Sequence, residues 1–352
     1  MAFLEIKNVR IVGIAACAPA HVEDNLTIPV FREGEAERVI AQTGIKQKHT
    51  VPDNSILASD MALTAAEKLI EDLQWDKSSI EALCFVSLSQ DYREPPTACI
   101  LQDRLGLPED CMTIDINQGC SGWVNGLSVI CGLVSSGSVK RALLLNGDTS
   151  SLLCSPFDKE SRPLFGDGST ATAIEHNKTA KSIFFNFGTR GSDYEAIITK
   201  YGGLRYPIDE DSLQFKTYGE NIVRRDKDST MDGMGVFAFG MTTAPKSINS
   251  LCVNFGIDID TIDFFLMHQA NMYMNEKIRK KLKIPLEKTP YSMGEYGNTS
   301  SASIPLTIVT QINEQVKNAP QKILAVAFGV GLAWGSVYFE TDGIVCPEIV
   351  LI

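Results

Sequence analysis

An internal repeat constrains this chain more than any other feature. Residues 82–90 form a short apolar run rich in strand formers and ending in a polar pair. A helical stretch follows over 97–105, then Gly106-Leu107-Pro108, a strand over 112–116 and a small-residue turn, Gln118-Gly-Cys-Ser-Gly122. A long helix through about Ser135 leads to a strand over 142–145 and to Gly147. The second half repeats this order. A strand over 262–269 ends in His268-Gln269, and a helical stretch over 275–282 runs to Pro285. Then come a Gly297-Asn-Thr-Ser-Ser301 turn, a helix over 302–315, a strand over 323–327 and the glycines Gly329 and Gly331. Twelve residues separate Pro108 from Cys120, and thirteen separate Pro285 from Asn298. Matched order with matched spacing predicts two related α/β halves, 1–177 and 178–352.

Strands alternating with helices predict mostly parallel sheets covered by helices. A duplicated unit places equivalent strand ends face to face, so Cys120 of one half should meet His268 and Asn298 of the other in one cleft. The 177–232 stretch, with Gly202-Gly203 and the charged run at 224–228, reads as the start of the second half with surface loops. Residues 236–254 read as a helix and residues 1–12 as a first strand.

The length of 352 residues, 44% of them hydrophobic, suffices for a large core. A net charge of -11 disfavours binding to nucleic acid, although a local basic patch can still recruit an acidic partner. The nine cysteines sit mostly in apolar runs and form no CxxC pair, which argues against a zinc or redox motif and for reduced thiols in a cytoplasmic protein. No apolar run approaches the ~20 residues that span a bilayer, and the N-terminus lacks the apolar core of a signal peptide. No membrane association, metal or cofactor is expected.

Cys120 lies between a strand and a helix, flanked by Gly119, Ser121 and Gly122, which leave room for a substrate. A helix N-terminus favours thiolate over thiol, and the thiolate attacks thioesters. A plain buried cysteine is the commoner use of any one of nine, but this turn context singles out Cys120. His268 ends an apolar strand, where an imidazole serves either as a satisfied core residue or as a hydrogen-bonding group in a cleft. Asn298 in its turn is either a helix cap or a donor facing the cleft. Gly329-Val330-Gly331 supplies a flexible backbone that can aim an N–H at an oxyanion. It lacks the third glycine and acidic partner of a dinucleotide loop, and the chain has no P-loop.

These residues closely resemble the β-ketoacyl-acyl-carrier-protein synthase III family of the thiolase superfamily. The resemblance rests on Gln42-Thr-Gly-Ile-Lys-Gln-Lys-His49, Asp115-Ile-Asn-Gln-Gly-Cys120-Ser-Gly and Leu164-Phe-Gly-Asp-Gly168. It extends to His268-Gln-Ala-Asn271, Gly297-Asn298-Thr-Ser and Ala327-Phe-Gly-Val-Gly-Leu-Ala-Trp-Gly335. It implies a thiolase-like α/β fold of two duplicated halves, with mixed sheets in a layered α-β-α-β-α arrangement. It also implies a homodimer and a two-step reaction. Cys120 takes an acyl group from a thioester donor, acyl-CoA or acyl-ACP (acyl carrier protein), with the N–H groups of Cys120 and Val330 as the oxyanion hole. A malonyl thioester, typically malonyl-ACP, then loses carbon dioxide while His268 and Asn298 bind the enolate oxygen, and the carbanion attacks the acyl-cysteine.

The resemblance also assigns carrier-protein docking to Lys280 and Lys281, in a basic helix, Glu276-Lys-Ile-Arg-Lys-Lys-Leu-Lys283, that otherwise reads as a solvated face. The family's docking Arg falls at Tyr273. Other departures cluster at the donor site. The adenine-stacking Trp and Arg fall at Arg38 and Lys159, a further Arg at Gln42, and an Asn near the pantetheine arm at Met234. The Phe closing the acyl pocket across the dimer falls at Glu94. A specialised synthase, loaded from a carrier protein or with an unusual acyl group, fits this pattern better than an acetyl-CoA starter enzyme. The rivals are an acyltransferase of the same fold that moves its acyl group to an amine or hydroxyl, and a non-catalytic scaffold. The intact Cys120, His268 and Asn298 argue against the scaffold.

Overall fold

The computed structural model describes Met1–Ile352. Two central sheets carry the fold. The first has six strands in the order Val350–Leu351, Val9–Ala18, Gly168–His176, Arg141–Asp148, Ala82–Val86, Met112–Ile116. The second has five, in the order Ala2–Ile6, Ile183–Thr189, Ala333–Asp342, Pro320–Gly329, Phe264–Met267.

Side-chain alternation sorts the core into layers. In Ala82–Val86, all buried, Ala82, Cys84 and Val86 join an inner core, while Leu83 and Phe85 join an outer one. In the second sheet Ile323, Ala325 and Ala327 face that same inner core, while Leu324, Val326 and Phe328 face a third cluster. The helices Gly122–Ser135 and Ser303–Gln311 contribute Trp123, Leu127, Leu306 and Val309 to the inner core, and so lie between the sheets. Ala58–Asp72 and Thr97–Leu105 cover the first sheet from outside, and Gly233–Phe255 and Met272–Leu282 cover the second. The result is a thiolase-like α-β-α-β-α stack. The sandwiched helix sits close to its sheet because Gly126 has no side chain; a Cβ there would lie 2.7 Å from both Leu144 and Val86.

The sheets are more mixed than the alternation of elements predicts. Ala82–Val86 runs parallel to both its neighbours, but Gly168–His176 is antiparallel to both of its own. In the second sheet only Phe264–Met267 with Pro320–Gly329 is a parallel pair. The reason is connectivity: Pro320–Gly329 returns directly as Ala333–Asp342 through a tight turn, which only antiparallel strands permit.

Three elements depart from their expected limits. Residues 1–12 are not one strand. Ala2–Ile6 pairs with Ile183–Thr189 in the second sheet and Val9–Ala18 joins the first, with Asn8 at φ 62 in the turn between them. The C-terminal Val350–Leu351 likewise pairs beside Cys17 and Ala18, so both chain ends cross between the halves. The helix expected over 302–315 breaks into a 3-10 turn, Ser300–Ala302, and two helices, Ser303–Gln311 and Asn313–Asn318, with Ile312 out of helical geometry at φ -138. The helix expected over 236–254 spans Gly233–Phe255, capped by the Asp232 side chain on the Gly235 N–H and ended at Gly256.

Candidate active site

The C-terminal ends of equivalent strands from the two sheets meet at one cavity of about 390 Å³. Cys120, His268, Asn298, Phe328 and Val330 line it, together with Val39, Lys159 and Glu160. The structure therefore brings together the three side chains that the sequence placed on different halves. A cleft of about 540 Å³ between Val9–Val12 and Gly343–Val345 contains none of them.

Cys120 lies in the turn after Met112–Ile116, one residue before Ser121, which caps the helix Gly122–Ser135. Its sulfur faces the main chain at Gly329: a Cβ there would come 2.4 Å from Sγ and 2.6 Å from the Cβ of Cys120. The main-chain N–H groups of Val330 and of Cys120 itself point at the sulfur. Those two N–H groups favour thiolate, as expected at a helix start. Burial outweighs them, however, and pushes the thiol up to about 11, with the nearby Asp148 carboxyl adding to the rise. Burial thus favours the protonated thiol at rest, contrary to the expectation of a depressed pKa.

His268 follows the strand Phe264–Met267 and is buried. Its Nδ1 lies 2.8 Å from Ser303 Oγ, its ring stands edge-on to Phe328, and its main-chain carbonyl accepts from Asn275 Nδ2 at 3.0 Å. Burial lowers the imidazole to about 4, against an opposing main-chain hydrogen bond at Ser300. At neutral pH the ring is uncharged, with one donor and one acceptor nitrogen.

Asn298 is held by the opposite half of the fold. Its N–H donates to the Leu164 carbonyl at 2.9 Å, and its carbonyl accepts from the Gly166 N–H at 3.1 Å. Gly166 must be glycine, because a Cβ there would lie 1.9 Å from the Tyr296 carbonyl oxygen. The Asn298 side-chain Oδ1 accepts from the Ser300 N–H at 3.0 Å, which leaves Nδ2 as the group free to donate into the cavity. Next to Gly166, the buried Asp167 accepts from the N–H groups of Val51 and Ser151, and burial still raises it to about 6.

The remaining residues singled out by sequence lie elsewhere. Lys280 is exposed and 3.7 Å from Glu276, while Lys281 donates to the Met241 carbonyl at 3.2 Å. Arg279 is committed to Glu276 and to the Ile284 carbonyl. Glu94 is exposed, in the loop before the helix Thr97–Leu105. Lys159 pairs with Glu35 at 3.4 Å, Arg38 bonds back to the Gly34 carbonyl of its own helix, and Met234 is 86% exposed.

Two side chains beside the site escaped the sequence signals, Ser303, 2.8 Å from His268, and Asp148, bonded to Leu88 and Ser301. The only trace of Asp148 in the sequence was a polar residue ending the apolar strand Arg141–Asp148.

A layered duplicated fold with a cysteine, a neutral histidine and an asparagine at the shared strand ends defines a condensing enzyme of the thiolase fold. Comparison with known proteins gives the family. Residues 114–191 match the 3-oxoacyl-[acyl-carrier-protein] synthase III model and residues 252–341 match the model of its C-terminal part. The β-ketoacyl-[acyl-carrier-protein] synthase III of Clostridium perfringens is 30% identical over 95% of this chain and 100% of its own length. That of Streptococcus agalactiae is 31% identical over 93% and 98%. The crystal structure of a 3-oxoacyl-(acyl-carrier protein) synthase from Burkholderia xenovorans superposes with a TM-score of 0.93 at 34% identity, covering 100% of this chain and 99% of that one. The chain belongs to the 3-oxoacyl-acyl-carrier-protein synthase III family of acyl-transferring condensing enzymes. No helix in it is long and apolar enough to cross a membrane.

Proposed function

We propose that this protein joins an acyl group, loaded on Cys120, to a malonyl thioester with loss of carbon dioxide. The observation that carries this reading is the convergence of Cys120, His268 and Asn298, from both halves, on one cavity. In the first step the sulfur attacks the donor carbonyl, and the N–H groups of Cys120 and Val330 hold the oxyanion. The tetrahedral adduct expels the donor's thiolate, which takes up the proton lost by Cys120. Each N–H of this kind is typically worth ~3–4 kcal/mol of barrier.

In the second step the malonyl carboxylate leaves as carbon dioxide, and its electron pair moves into the thioester as an enolate. Asn298 Nδ2 and the uncharged His268 ring donate to that oxygen. For His268 to donate from Nε2, Nδ1 must act as acceptor, a role supported by the Ser303 hydroxyl at 2.8 Å. A ring lowered to about 4 suits a neutral donor better than a proton carrier. The carbanion then attacks the acyl-cysteine. Cys120 leaves as thiolate and recovers its proton, and the product is a β-ketoacyl thioester.

The malonyl group comes on an acyl carrier protein, and the exposed Lys280 and Lys281 form the docking surface for that acidic partner. A carrier-bound acyl donor fits better than acyl-CoA, because Lys159 is neutralised by Glu35 and Arg38 is turned onto its own helix. The protein works in the cytoplasm as a homodimer, with Glu94 beside the partner's acyl pocket. A stable monomer in sedimentation at micromolar concentration would rule that assembly out.

The direct test is Cys120→Ala, with intact-mass detection of acyl uptake from candidate thioesters and release of carbon dioxide from malonyl-ACP. Uptake disappears if Cys120 is the nucleophile, and undiminished uptake refutes the assignment. Acyl transfer to an amine or hydroxyl without decarboxylation would place the enzyme outside condensation.

A further inference from the structure

Asp148 ends the strand Arg141–Asp148 and is wholly buried. The cavity does not expose it, yet it touches both halves of the site. On the first half, the Leu88 N–H donates to Oδ1 at 2.7 Å and Ser87 Oγ lies 3.2 Å from the same oxygen. On the second half, Ser301 donates to Oδ2 twice, from Oγ at 2.9 Å and from its N–H at 3.3 Å. Ser87 and Leu88 follow Ala82–Val86, the strand whose counterpart in the repeat carries His268. Ser301 lies three residues beyond Asn298, in the same turn. Leu88 also packs on Gly119, where a Cβ would come 2.6 Å from Leu88 Cδ1. One carboxyl therefore ties the segment beside Cys120 to the turn that carries Asn298.

A carboxyl group held by four donors and buried without a cation is an unusual choice for a purely structural staple, since burial disfavours its charged form. No lysine or arginine pairs with it. The groups around the Cys120 sulfur and Asp148 come from four places: Ser87 and Leu88; Ser300 and Ser301; the strand end Phe328–Val330; and His268. Of these only His268 titrates, and it is neutral.

We propose that Asp148 is a positioning residue for the condensation: it clamps the Leu88 segment, which packs on Gly119, to the Ser301 segment, which packs on Gly122, on either side of Cys120. The clamp holds Asn298 in register with the acyl-cysteine, an inference that rests on the proposed reaction.

Two variants of the full chain test this. Asp148→Asn keeps the shape but turns one acceptor oxygen into a donor, so it cannot accept from both segments. Its release of carbon dioxide from malonyl-ACP should fall several-fold beside wild type. A wild-type protein that releases none refutes the proposed reaction, whereas a working wild type with an unaffected variant refutes the clamp. Ser301→Ala keeps the carboxyl and the Leu88 bond but removes one donor, and serves also if Asp148→Asn fails to fold. Decarboxylation of malonyl-ACP should fall several-fold while acyl loading stays within about twofold. Equal loss of both steps, or of neither, overturns the clamp.

Discussion

Replacing Gly329 by alanine probes the closest contact in the site. The added Cβ would stand 2.4 Å from Cys120 Sγ and 2.6 Å from its Cβ. Comfortable separations between such atoms are about 3.5–4.0 Å, so one partner must move by roughly 1 Å. Gly329 is fixed in a ten-residue antiparallel register with Ala333–Asp342, and Phe328 is packed in the third core cluster. The cysteine turn is therefore the part that yields. Overpacking of this kind costs about 1–3 kcal/mol of stability, which leaves a chain of this size folded. Its effect on chemistry is larger. A displacement of ~1 Å from attack geometry is worth about a hundredfold in rate, and Val330, next in the chain, would lose its aim at the sulfur. Single-turnover acyl loading followed by intact mass should drop by about that factor, while thermal melting moves by only a few degrees. Loading within twofold of wild type in a protein that melts normally would refute the idea that glycine is needed for the sulfur's position.

Three other expectations follow from the same geometry. With the thiol pushed up to about 11, the thiolate fraction grows with pH, so alkylation of wild-type Cys120 should accelerate about tenfold per unit from pH 7 to 10; a plateau near pH 8 would contradict the burial argument. His268→Ala and Asn298→Ala should each slow malonyl decarboxylation by a hundredfold or more, at ~3–4 kcal/mol per donor, and slow loading far less; equal losses in separate single-turnover assays would count against their roles. Lys280→Glu with Lys281→Glu should reduce rates with carrier-bound thioesters several-fold, abolish their salt dependence and leave free pantetheine thioesters unaffected; unchanged carrier rates would mark the patch as plain solvated surface.

The candidate site was legible in the sequence because its signals are written locally. A small-residue turn between a strand and a helix marks Cys120, and a polar pair ending an apolar strand marks His268. A Gly-Asn-Thr-Ser turn marks Asn298, and the repeat indicated that all three would meet. The layered duplicated architecture was equally legible, since a strand–helix order permits few packings. Strand direction in the second sheet was less so. The turn between Gly329 and Ala333 contains no long crossover, and that shortness forces an antiparallel return which counting strands and helices overlooks. The crossing of the N-terminal strand turns at Asn8, whose left-handed conformation has no distinct sequence signal.

What the amino-acid order indicated by itself was thus the set of candidate groups and the strand ends that bring them together. Only the tertiary structure decided their protonation and their supports. The Cys120 thiol is raised and the His268 ring lowered by desolvation, which depends on everything packed around them and on no neighbouring residue in particular. Ser301 reaches Asp148 across 153 positions of the chain, and Ser303 reaches His268 across 35. A helix start predicts a reactive thiolate because its N–H groups are local, whereas burial is a property of the whole fold, and here burial is the larger effect.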